Sequence, residues 1–145
     1  MKLNNKKRII GMSIETNNLR GQSEIGLLWQ KFFSSHISKK VKERKTHKIY
    51  AVYYNYESDF RGDYSCLVGF ESDEETDLDT VEIEEGDYKK VMAIGELPRA
   101  VGEKWLEIWQ ESDEDRIYKT DFEVYDFEKF NGGPESEVEI YLGTK

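Results

Sequence analysis

Residues 122–143 read FEVYDFEKFNGGPESEVEIYLG, and residues 50–71 read YAVYYNYESDFRGDYSCLVGFE. Laid over one another without a gap, they pair Val52 with Val124, Tyr53 with Tyr125, Val68 with Ile140 and Phe70 with Leu142. Each stretch alternates in its apolar content on both sides of a glycine-bearing turn, Arg61-Gly62-Asp63 in one and Asn131-Gly132-Gly133-Pro134 in the other. Period-two alternation broken by turn residues is the pattern of two antiparallel strands. The correspondence extends upstream, where IGLLWQKFF (25–33) matches VGEKWLEIW (101–109), with Gly26 on Gly102 and Trp29 on Trp105. Ile25, Leu28, Trp29, Phe32 and Phe33 fall at helical spacing, as do Val101, Trp105, Ile108 and Trp109, so a helix with one apolar face is expected in each half. RIIGMSI (8–14) and KKVMAIG (89–95) precede these helices as strands. The chain reads β-α-β-β twice, with repeat one over about 7–71 and repeat two over about 80–145.

Smaller signals fill in the frame. TVEIE (80–84) is expected as a short extra strand, joined to the next through the turn Glu85-Gly86-Asp87. Ser23 is placed to cap the first helix, and Pro98 suits the first turn of the second. The acidic tract of about 72–79, within ESDEETDLD (71–79), reads as a solvated linker, because blocks of like charge repel. KKVKERKTHK (39–48) reads as the solvated basic end of a helix, where cations suit the dipole.

Composition bounds the function. A chain of 145 residues suits a single domain over 1–145, and 13% aromatic content argues against disorder. A net charge of −9 excludes the usual electrostatics of nucleic-acid binding and favours a cationic ligand or a basic partner surface. No apolar run approaches the ~20 residues of a membrane span, and no secretory leader is recognisable. The lone cysteine, Cys66, excludes an internal disulfide and fits the cytoplasm, and its place beside Val68 and Phe70 makes it a small buried hydrophobe. His36 and His47 lack metal-ligand spacing, so neither a metal site nor a cofactor is expected.

Glu123 is the residue that asks for an explanation. Along its strand Glu123, Tyr125 and Phe127 share one face while Phe122 and Val124 share the other. On the last strand Val138, Ile140 and Leu142 form one face, and Glu137, Glu139 and Tyr141 the other. Assigning the aliphatic set to the helices leaves Glu123, Tyr125 and Tyr141 together on the second face, opposite the small residues Ala51 and Gly69 of the first half. Two readings stay open there: a wet polar face, or an aromatic pocket with a carboxylate for a lipophilic cation.

The segments IGLLWQKFF, YAVYYNYESDFRGDYSCLVGFE, VEIEEGDYKKVMAIGELP, VGEKWLEIW and DFEVYDFEKF with EVEIYLG together resemble the effector-binding domain of AraC-type and MerR-type multidrug regulators and of gyrase-inhibitor-like proteins, most of all its integron-associated branch. The resemblance implies an α+β fold, with duplicated β-α-β-β units forming one curved antiparallel sheet, two helices on its outer face and a central ligand cleft. It implies that Glu123 pairs with cationic aromatic compounds, with Tyr125, Tyr141, Tyr53 and Trp105 as cleft walls. Regulators of this kind carry a helix-turn-helix ahead of the domain. The repeat begins near Lys7 here, so direct DNA binding is not expected. The implied role is a stand-alone binder of cationic, lipophilic aromatic compounds linked to regulation or drug resistance. The alternatives are a hydrolase of cyclopropane-bearing natural products, with Glu123 as general base beside Tyr125 or Tyr141, and a protein that binds a protein partner such as gyrase.

Overall fold

The computed structural model describes residues 2–58, 61–111 and 115–145, the Gln22 side chain excepted. Its strands are β1 (Lys2–Leu3), β2 (Lys7–Thr16), β3 (Ile49–Tyr54), β4 (Tyr64–Glu71), β5 (Asp79–Ile83), β6 (Gly86–Ile94), β7 (Arg116–Tyr125) and β8 (Glu137–Thr144). Its helices are α1 (Gly21–Ser34), the short α2 (Ile37–Lys40) and α3 (Arg99–Gln110). The strands form one antiparallel sheet in the order β1-β6-β8-β7-β3-β4-β2-β5. Read outward from the central β3·β7 pair, the order is β3-β4-β2 on one side and β7-β8-β6 on the other. Both β-α-β-β units thus hold matching places.

Two details differ from the sequence reading. TVEIE and the following strand do not form a hairpin across Glu85-Gly86-Asp87. β5 pairs with β2 at one edge of the sheet, whereas β6 starts at Gly86 and pairs with β1 and β8 at the other. So short a link between opposite edges requires the sheet to curl until its edges approach. The first helix begins at Gly21, and Ser23 lies in its first turn with its hydroxyl donating to the Arg20 carbonyl. Asn17 instead accepts the Leu19 and Arg20 N–H groups. Pro98 stands at the N-cap of α3.

Curling gives the sheet two cores. Inside the curl, Leu3 and Tyr88 from one edge meet Ile9 and Ile83 from the other, around Tyr50, Val52, Leu67, Phe122, Val124 and Tyr141. On the outer face the helices cover Ile10, Ala51, Tyr53, Cys66, Val68, Tyr125, Val138, Ile140 and Leu142. Helix α1 packs on β2 and β4 and α3 packs on β6, so the outer face of β3 and β7 lies between them. Among the described residues no helix is long and apolar enough to cross a membrane.

Candidate functional site

Facing residues in an antiparallel pair share a face, so register decides which side chains meet. Glu123 faces Ala51 on β3 and Ile140 on β8. It therefore belongs to the outer, helix-covered face with Tyr125, and the small Ala51 side chain leaves it room. Tyr141 faces Phe122 across β7·β8 and stacks on its ring at 4.7 Å, inside the curl. Its hydroxyl donates to Glu139, which pairs with Lys90. Grouping Glu123 with Tyr141 is corrected by this register, and grouping Ala51 with Gly69 fails likewise, since Ala51 faces Val68. The aliphatic set on β8 and the carboxylate on β7 are on one face because both sides of this sheet are core.

Glu123 is 1% exposed. The Tyr125 hydroxyl donates to its Oε1 at 2.6 Å, and the Tyr53 hydroxyl donates to Oε2 at 2.9 Å. The Trp105 indole Nε1–H donates to Oε2 at 2.6 Å. Trp105 is half-buried and is more than helix core, because α3 presents its polar edge to the carboxylate. Tyr53 packs edge-on against the Trp105 ring at 5.5 Å. Burial raises the proton affinity of Glu123, against the opposing pull of the Tyr125, Trp105 and Tyr53 hydrogen bonds. Burial, reinforced by the Glu123 charge, also drives the Tyr53 and Tyr125 hydroxyls well above the ordinary tyrosine range, so both remain donors.

Asp121, two residues earlier on the same face, is fully buried but differently served. It takes an ion pair from Arg116, the Tyr56 hydroxyl at 2.6 Å and the Gly143 N–H at 2.9 Å. No Lys or Arg pairs with Glu123 among the described residues. One buried carboxylate has its cation and the other has none.

From α1 an aromatic series runs toward the carboxylate. Phe33 and Phe127 are exposed and lie 6.1 Å apart, and each contacts Trp29. The Trp29 ring meets Tyr125 at 4.8 Å, and Tyr125 stacks on Phe127 at 5.7 Å. Trp29 and Phe33 had been legible only as a helix face. What joins them to the carboxylate cluster is the contact of Trp29 with Tyr125 and of Phe33 with Phe127. A surface depression lined by Glu84, Tyr88, Ile117 and Lys119 touches none of this cluster. Cys66 is buried on the same outer face, and burial with the Glu123 charge pushes its thiol well up, so it is an inert thiol. His47 bridges Asp126 and Glu128 on the surface, and no cluster of three or more metal-binding side chains occurs among the described residues.

Known proteins share this architecture. The integron cassette protein VCH_CASS2, from the mobile metagenome of Vibrio cholerae, superposes with a TM-score of 0.79 at 26% identity, covering 100% of this chain and 94% of that one. SAV2435, solved bound to tetraphenylphosphonium, superposes with a TM-score of 0.85 at 16% identity, covering 100% and 92%, and shows the same fold. The candidate transcriptional regulator YobU of Bacillus subtilis (strain 168) is 28% identical, over 96% of this chain and 92% of its own length. Residues 2–143 match one family throughout, and the chain belongs to the integron-associated effector binding proteins.

Proposed function

We propose that the protein binds lipophilic aromatic monocations, with Glu123 as the counter-ion and Trp29, Tyr53, Trp105 and Tyr125 as the enclosing rings. The observation that carries this reading is the inequality between two buried carboxylates on one strand face: Asp121 holds Arg116, while Glu123 holds three neutral donors and, among the described residues, no cation. A buried charge without a partner is costly, and a fold retains one where a partner arrives from outside. Aromatic walls give such a partner contact area and cation–π attraction. The tetraphenylphosphonium bound to SAV2435 is a ligand of this chemistry, and the regulator relative is consistent with a sensing role. Binding requires Trp105 to swing aside, since its indole occupies the carboxylate.

The hydrolase reading asks Glu123 to take a proton from water. Three of its roughly four acceptor positions are already filled, which favours a receptor over a base. A fluorescence titration with a cationic rhodamine ester, on wild type and Glu123→Gln, tests the proposal. At least about tenfold weaker binding by the variant is expected, a loss of about 1.4 kcal/mol. Equal affinity in the two proteins sinks it.

A further inference from the structure

We infer that the same site holds a second recognition point, in which Arg116 Nε–H binds a neutral acceptor oxygen of the cationic ligand. The inference rests on the reading of Glu123 as cation receptor and deepens it. Arg116 has a side chain only 6% exposed. One terminal nitrogen pairs with Asp121, the other lies 3.5 Å from the Tyr118 hydroxyl, and Nε is buried with no hydrogen-bond partner among the described residues. An unpaired buried guanidinium N–H is an expensive arrangement, and a charged donor forms stronger hydrogen bonds than a neutral one.

The position of that donor matters. The guanidinium carbon lies 6.0 Å from the Trp105 ring centroid and 4.3 Å from that of Tyr118. Trp105 is the residue whose indole N–H covers Glu123. Moving that ring uncovers the anionic acceptor and opens the side of the guanidinium that faces Trp105. Their strand positions are set by Glu123 and Asp121, two residues or roughly 7 Å apart on one face. A fused aromatic ring system is of that length.

Charge decides what the second group is. Glu123, Asp121 and Arg116 together carry one net negative charge, so a monocation neutralises the site. A ligand carboxylate would restore the imbalance in a desolvated space. The ligand class is therefore a polycyclic monocation bearing an ester, amide or ketone oxygen.

Three dyes of one skeleton test this: tetramethylrosamine, which has no acceptor on its pendant ring, the corresponding ortho methyl ester, and the corresponding free acid. The ester is expected to bind wild type about tenfold more tightly than the rosamine, with the acid weaker than the ester. In Arg116→Lys, which keeps a charge for Asp121, the ratio of the rosamine dissociation constant to that of the ester should fall toward one. The wild-type comparison stands even if that variant does not fold. Rosamine binding that depends on Glu123 with no gain for the ester overturns this inference and leaves the cation reading intact. Tightest binding by the acid, or an ester preference that survives in Arg116→Lys, also overturns it. Failure of all three dyes to bind overturns both.

Discussion

Glu123 is a carboxyl held by neutral donors, and its protonation should govern what it binds. Burial raises its proton affinity above the ordinary value of 4.5. Between that value and the raised one, the folded chain binds more protons than the unfolded chain, so stability falls as pH rises through the window. Asp121 is raised by burial as well, against the pull of Arg116, and contributes with the same sign. Subtracting the stability profile of Glu123→Gln from that of wild type isolates the Glu123 share. With Glu123 as the proposed counter-ion, cation binding should run the other way, because only the ionised carboxylate attracts the ligand. Affinity for tetraphenylphosphonium, which has no titratable group, should rise with pH across the same window by up to about tenfold per pH unit. A calorimetric pH series that shows flat affinity in wild type refutes the coupling. Strand alternation put Glu123 and Tyr125 on one face, and the family resemblance added Tyr53. Alternation could not reveal Arg116, which lies five positions before Asp121. An odd separation on a regular strand places two residues on opposite faces.

That parity is broken by the element itself. Register on β7 runs from Arg116 facing Thr144 to Asp121 facing Leu142, so the strand bulges between them. Tyr118 within the bulge adopts a φ of 51°, and a Cβ on Gly143 would stand 2.7 Å from the Thr120 carbonyl oxygen. A glycine on β8 thus admits the bulge that turns Arg116 back toward Asp121. β2 and β4 make a similar demand where Gly11 faces Gly69. A Cβ on Gly69 would lie 2.0 Å from the Ile10 carbonyl oxygen, a contact only backbone movement could relieve. Gly69→Ala should therefore lose about 2–4 kcal/mol of unfolding free energy in urea titrations. Gly26, in the interior of α1 with nothing within 4 Å of the new methyl, should behave oppositely. Gly26→Ala is expected to gain about 0.5–1 kcal/mol through helix propensity. Equal effects at the two positions would mean that the close strand approach carries no stability.

For the whole molecule, two cores share one sheet, and the proposed ligand site lies in the one beneath the helices. A cation that binds only the folded chain, at about 100 times its Kd, stabilises it by about 2.7 kcal/mol. For a chain of 145 residues this corresponds to a rise in Tm of roughly 5–10 °C. A thermal melt with saturating tetraphenylphosphonium should show that rise in wild type and lose about half of it or more in Glu123→Gln. A shift of equal size in both proteins would place the ligand away from Glu123. The net charge of −9 raises the local concentration of cations around the molecule, but a buried carboxylate is weakly screened, so salt should change the affinity only modestly.

The sequence by itself determined the order of the strands and helices apart from β1 and α2, the apolar faces of α1 and α3, the two turn-linked hairpins and the carboxylate worth following. These are local properties, set by side-chain periods of 2 and 3.6 and by turn chemistry. Only the tertiary structure decided that Glu123 lies under the helices with Trp105, that Tyr141 lies inside the curl, and that, of Asp121 and Glu123, it is Asp121 that pairs with a cation among the described residues. Alternation defines two faces within one strand but says nothing of which face of the next strand it joins. That choice belongs to register, to a bulge of odd length and to a sheet curled far enough to make both its faces core.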